Sequence, residues 1–268
     1  MTAHAIAYRD ADVRYYVCPS VNTHGSFSGR MDVTTFNIRT CAEIATEYGA
    51  EGLLLTDWGD GGHAQSWIFS MNPIALGGQY AWNPGKVQDG ESFKAEFIRG
   101  AEDFVDEFAF EGTKVSRLLY RMANYYLLEP ERVHVCTMSA KELTLPLDTT
   151  RYAHLFDLKD SGDDFYFDNV TAYVRRVMED IEKLRLDDVC LREIRLTAQL
   201  IELGSEVCKV KLHPESSKRE AGELAGLIDR ILPEFKALWT IRNYEKGCER
   251  FGSMLAARRD ELRALAES

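Results

Sequence analysis

Two rhythms of apolar and polar positions run along this chain, and one gives way to the other near residue 88. At the start, the run YYVC (Tyr15–Cys18) is short and β-prone, and is ended by Pro19 and a polar loop, SVNTHGSFSGR. From Asp32 to Tyr48, apolar residues recur near helical spacing (Val33, Phe36, Ile38, Cys41, Ile44, Ala45), with Gly49 placed to cap the helix. A second strand, Gly52 to Thr56, leads into the loop DWGDGGHAQSW. A further helix is expected over roughly Ser70–Tyr80, and Asn83-Pro84-Gly85 reads as a turn.

The first part therefore reads strand, helix, strand, helix, with connections of the length a βα unit uses. Short apolar strands of this kind suit a parallel sheet buried on both faces. Polar loops follow the C-terminal ends of both strands, where α/β folds place their chemistry. After Glu91 the pattern becomes helical throughout, with apolar residues at i, i+3, i+4 and i+7 in segments such as NVTAYVRRVMEDIEKLRL and CLREIRLTAQLIELGSEVCKVKL. The expected organisation is residues 1–88 as βα units and residues 89–268 as an α-helical domain. A complete (β/α)8 barrel takes about 250 residues. Two βα units thus mean either a small sheet or the end of a barrel.

Composition narrows the partners. With 43 acidic and 32 basic residues the formal charge is −11, which argues against nucleic acid or an anionic membrane surface as the main partner. No apolar run reaches the roughly 20 residues of a membrane span, and the first residues lack a signal-peptide pattern. The six cysteines are scattered, with no C-x-x-C pair, and most sit in apolar periodic segments. That pattern suggests small buried hydrophobes in a reducing compartment, with a cytoplasmic location as the default and no zinc or redox site. Cys18 is expected inside its strand, buried and inert.

The chemistry concentrates in the loop GLLLTDWGDGGHAQSW, Gly52 to Trp67. A carboxylate directly after a strand can accept hydrogen bonds from sugar hydroxyls, and an indole face suits the C–H face of a pyranose. Asp57, Trp58 and Asp60 are candidates on that ground. Equally, Asp57 can cap loop N–H groups and Trp58 can close the end of the sheet. His63 completes D-x-x-D-x-x-H, a spacing that fits no standard metal set, so no metal is expected. His24 and Asn22 follow the first strand and are candidates for the rim of the same pocket. Gly59 to Gly62 lack the lysine and spacing of a phosphate loop, and are read as permitting a sharp turn. No G-x-S-x-G elbow accompanies Ser20, His24 and Asp57.

YYVCPSVNTHGSFSGR, YGAEGLLLTDWGDGGHAQ and GGQYAWN together resemble the end of the catalytic barrel in glycoside hydrolase family 20, the β-N-acetylhexosaminidase-like enzymes. ALWTIRNYEKGCERF resembles the helical C-terminal region of that group. The resemblance implies the last two βα units of a (β/α)8 barrel followed by a mainly α-helical domain. It implies substrate-assisted hydrolysis of terminal β-linked N-acetylhexosamine or a related sugar, without a cofactor. Trp58 and Asp60 match the family's pocket indole and hydroxyl-binding carboxylate, with Asp where the family has Glu, and Trp82 is a second pocket aromatic. The family's catalytic Asp-Glu pair has no counterpart after a strand. The only such dipeptides are Asp106-Glu107 and Asp260-Glu261, both in helical patterns, so no catalytic residue is identified and the chain alone is expected to be inactive. A non-catalytic carbohydrate-binding remnant and a helical interaction protein are the alternatives. Two parallel strands cannot close a barrel, so a second chain or an oligomer is expected to cover the open sheet.

Overall fold

The computed structural model describes residues 1–83, 91–150 and 164–268. The expected turn at Pro84-Gly85 and the expected boundary near residue 88 lie outside the described residues. The chain is divided between two compact units that interleave along the sequence. One comprises Met1–Thr23, Gly29–Trp58 and Trp67–Asn124, and the other His24–Ser28, Gly59–Ser66 and Tyr125–Ser268.

In the first unit, helix α1 (Thr2–Asp10) precedes strand β1 (Tyr16–Val17), helix α2 (Met31–Tyr48), strand β2 (Gly52–Leu53) and helices α3 (Ile68–Trp82), α4 (Glu91–Ala109) and α5 (Ser116–Met122). The strands pair in parallel, Tyr16 with Gly52 and Val17 with Leu53, and a bridge joins Ser20 to Thr56. Gly49 ends α2 in the left-handed region at φ 72°, the cap its position suggested. One face of α2 puts Ile38 and Ala42 into a core with Leu76, Tyr80, Phe97 and Ala101. Cys41 and Ile44 pack instead with Val17 and Ala5. Tyr80 meets Phe97 edge-on at 4.7 Å, a favourable aromatic geometry.

In the second unit, α6 (Met138–Thr144), α7 (Asp164–Ile181), α8 (Asp188–Leu212), α9 (Lys218–Arg242) and α10 (Cys248–Glu267) form a helical assembly in which α8 touches α6, α7 and α9, and α10 runs against α9. In α7 the buried positions Phe167, Val170, Val174, Val177 and Ile181 repeat at three and four residues, the stripe that marks a core-facing helix. Asp187 caps α8, accepting from the N–H groups of Val189 and Cys190.

The expected partial barrel is overturned. Among the described residues the chain is mainly helical, with ten α-helices and one pair of two-residue strands. The apolar runs YYVC and GLLLT support one short β–α–β crossover and no further ladder. The core is instead supplied by the helices, whose burial does not need a closed sheet. The sheet is also not buried on both faces. Val17 is covered, but Tyr16 and Leu54 are 61% and 59% exposed. Cys18 is exposed as well, beyond the end of the strand that was expected to bury it; Cys41, Cys136, Cys208 and Cys248 are buried and Cys190 is half-buried. Helix α1 carried too weak an apolar stripe to be recognised from the sequence.

Candidate functional site

The loops after the two strands are built from short local hydrogen bonds. In the first unit, Thr56 donates its hydroxyl to the Pro19 carbonyl at 3.0 Å and accepts from the Trp58 indole N–H at 2.9 Å. This fixes the indole while leaving the residue 53% exposed. Asp57 is exposed and accepts a short hydrogen bond from the Thr23 hydroxyl. Asn22 is buried with φ 51°, and its side-chain amide donates to the Ser20 carbonyl at 2.9 Å. Asn22 thus shapes the turn after β1. Trp82 closes α3 and is 88% exposed.

In the second unit, a cavity of about 380 Å³ is lined by residues from four separate stretches of chain. His24, Ser26 and Phe27 come from the first, Asp60 and Gln65 from the Gly-rich loop, Val135 and Cys136 from the segment before α6 with Lys141 and Thr144 from α6 itself, and Phe251 from α10. The volume falls in the range of small-molecule sites, about 300–1,000 Å³. Two glycines make the walls possible. Gly25 has φ 62°, and a Cβ there would stand 2.8 Å from the Val135 carbonyl oxygen. Gly62 has φ 96°, and a Cβ there would meet Phe251 at 3.1 Å. Both positions combine a backbone that disfavours L side chains with a close approach. The Gly25 carbonyl accepts from the Thr137 N–H at 2.9 Å, holding the 24–28 segment to α6. Val135 itself lies at φ 61°, a strained conformation for a β-branched residue.

The structure thus brings His24 and Asp60 to one cavity. His63, in the same unit, lies beside it: its Nδ1 is 3.1 Å from the Gln65 amide nitrogen, and its ring meets Trp239 edge-on at 6.5 Å. No group of three His, Cys, Asp or Glu residues is placed to hold a metal among the described residues. The Asp-Glu dipeptides are structural. Asp106 is buried and accepts from the Val115 and Ser116 N–H groups at the start of α5, at 3.1 and 2.8 Å. Glu261 accepts from the Leu147 N–H at 2.8 Å.

Behind the cavity lies a polar cluster that the periodicity of the sequence concealed. Tyr125 is fully buried. Its hydroxyl, however, sits 2.7 Å from Thr137 Oγ1 and 3.1 Å from Ser139 Oγ, and is hydrogen-bonded to Ser26. Glu129 is buried next to it and accepts from the Met138 and Ser139 N–H groups at 2.7 and 2.8 Å. Burial outweighs those bonds and pushes the Glu129 carboxyl up to about 7. The Tyr125 phenol is pushed up as well, by burial and by the neighbouring Glu129. Lys141 and Phe251 carried no local signal, since only the fold brings them to the cavity.

No protein-family model matches this chain, and no curated protein matches it.

Proposed function

We propose that this chain binds a carbohydrate, a terminal β-linked N-acetylhexosamine or a related sugar, in the cavity of the second unit, and that it does not hydrolyse that sugar by itself. The observation that carries this reading is the convergence of Asp60, His24, Gln65 and Lys141 on one concave surface walled by Phe27 and Phe251. A carboxylate, an imidazole, an amide and an ammonium group supply acceptors and donors for ring hydroxyls within an otherwise apolar lining. The resemblance of the TDWGDGGH loop to family 20 enzymes supports the sugar class. The structural roles of Asp106 and Glu261 support the absence of catalysis. Six free thiols support a cytoplasmic location. No helix among the described residues is long and apolar enough to cross a membrane. The exposed Tyr16–Leu54 face supports a second chain or a second copy covering the sheet.

Calorimetric titration with N-acetylglucosamine tests this reading. Asp60→Asn should weaken binding roughly tenfold, the effect of losing charge on one acceptor. A p-nitrophenyl β-N-acetylglucosaminide should remain intact. Undiminished affinity in the folded Asp60→Asn variant would remove Asp60 from the site, and turnover of the glycoside would refute the non-catalytic reading.

A further inference from the structure

Helices α8 and α9 of the second unit line a separate cavity of about 320 Å³, which shares no residue with the cavity beside α6. Arg192, Arg195 and Gln199 stand at i, i+3 and i+7 on α8, so they share one face of that helix. Arg230 and Glu234 come from α9, and Leu196 and Leu227 supply the apolar surface. The lining carries three arginines against one glutamate, in a chain whose formal charge is −11. Arg192 is neutralised: its Nε and Nη2 donate to the two Glu234 oxygens at 2.8 and 2.9 Å, and Nη1 lies 3.7 Å from Asp188. Arg195 gives only its Nε to Glu182, at 2.9 Å, so its two terminal nitrogens have no partner among the described residues. Arg230 forms no ion pair among the described residues. Its acidic neighbours on α9 are held elsewhere, Glu234 by Arg192, and Asp229 by Arg259 and Arg263. The Arg230 guanidinium reaches back one turn, to 3.9 Å from where a Cβ at Gly226 would stand.

We propose that the α8–α9 cavity binds the phosphate group of a small organic monoester, held by Arg195 and Arg230. Guanidinium groups stay charged at physiological pH and present N–H donors in a plane that matches paired phosphate oxygens. Arg195 and Arg230 come from different helices, so an anion between them also relieves the repulsion of two like charges lining one space. A phosphate monoester carries close to two negative charges at about pH 7 and three peripheral oxygens. Its charge equals the net charge of the lining, and its oxygens suffice to accept from both guanidinium groups and the Gln199 amide. A carboxylate, with one charge and two oxygens, leaves one of those three donors unmet. Leu196 is buried and Leu227 half-buried, and they offer the carbon part of the ester an apolar surface. Arg242 joins Glu193 through two bonds, at 2.7 and 2.8 Å, and with the Arg192–Glu234 pair ties the start of α8 to the end of α9. The two arms of the clamp therefore stand on helices that are already joined. The proposal does not rest on the sugar-binding reading, since none of these residues borders the other cavity.

The test titrates the full chain at about pH 7, where the monoester is mostly a dianion, with phenyl phosphate, inorganic phosphate and benzoate. The arginine Nε–Hε resonances are followed by NMR, and Arg195→Gln and Arg230→Gln assign the two signals. Phenyl phosphate should move both signals to saturation. Inorganic phosphate should bind severalfold more weakly, for want of the contact with Leu196 and Leu227, and benzoate should also bind more weakly, for want of the second charge. Either arginine substitution should weaken phenyl phosphate roughly tenfold, the effect of removing one charge-assisted contact. Both arginines are exposed, so neither substitution disturbs the core; if Arg230→Gln does not fold, Arg195→Gln carries the same test. Leu227→Ser should weaken phenyl phosphate and leave inorganic phosphate unchanged. Sodium chloride at matched ionic strength controls for screening. Signals that stay still with phenyl phosphate, or shifts that sodium chloride reproduces, overturn the proposal. So do wild-type affinity in the folded Arg230→Gln or Arg195→Gln variant, and affinity for inorganic phosphate or benzoate equal to that for phenyl phosphate.

Discussion

Glu129 shows how one residue can stabilise an element and yet weaken the fold as pH rises. Its oxygens satisfy two N–H groups of α6, but removing its charge from water costs more than those bonds return. The folded carboxyl titrates near 7 rather than at the ordinary 4.5. The relative stabilisation is therefore full below 4.5 and is lost as pH rises through 7. Denaturant unfolding at pH 5, 6, 7 and 8 should show wild-type stability falling by on the order of 3 kcal/mol. In Glu129→Gln the contribution from this site should be absent, so parallel profiles would exclude the assignment. Little of this was visible in the sequence. His24 and Asp60 stood out because polar residues followed apolar runs. Glu129, Tyr125 and Ser26 did not, because a glutamate, a tyrosine and a serine in helical or loop text look like solvated or packing residues until a fold encloses them.

Helix α6 spans seven residues, too few to be stable alone, and both of its ends are held by buried charges from elsewhere in the chain. Glu129 meets the N-terminal N–H groups. At the other end, Lys211 donates to the Glu142, Leu145 and Thr149 carbonyls at 2.9, 3.3 and 2.9 Å, and Arg258 donates to the Leu143 and Leu145 carbonyls. The cations at the finish match the negative end of the helix dipole, and the Glu129 oxygens satisfy open donors at its start. Lys211 also pairs with the buried Glu142 carboxylate at 2.8 Å. Lys211→Met should cost about 3–5 kcal/mol in chemical denaturation, because it leaves that carboxylate uncompensated. Adding Glu142→Gln should recover part of the loss, and a single variant near wild-type stability would contradict the pairing. The long helices were legible as periodic stripes. The site-forming α6 was not, since the stretch VHVCTM reads equally as strand, loop or helix start.

For the whole molecule, the alternation of strand and helix was read correctly as a parallel β–α–β crossover, but its continuation into a barrel was not. Local pattern fixes the type of an element, whereas the number of strands that follow is decided by chain that the pattern does not contain. The remaining sheet exposes Tyr16, Leu54 and Cys18 on one side, a surface that invites association. Sedimentation velocity should reveal species larger than the 30.5 kDa chain, and Leu54→Lys should shift the distribution towards that mass. A single 30.5 kDa species at high concentration would show that the face remains uncovered.

The order in which the cavity can be completed follows from its walls. Phe27 meets Phe251 at 6.3 Å, joining residues from near the two ends of the chain. During synthesis the 24–28 segment can meet the start of α6 early, but the Phe27 and Gly62 contacts with Phe251 wait until α10 has left the ribosome. Such distant contacts slow folding, because the entropy of closing long loops is lost before any contact compensates for it. A nascent chain arrested before α10 would therefore expose its Gly-rich loop without the Phe251 wall behind it.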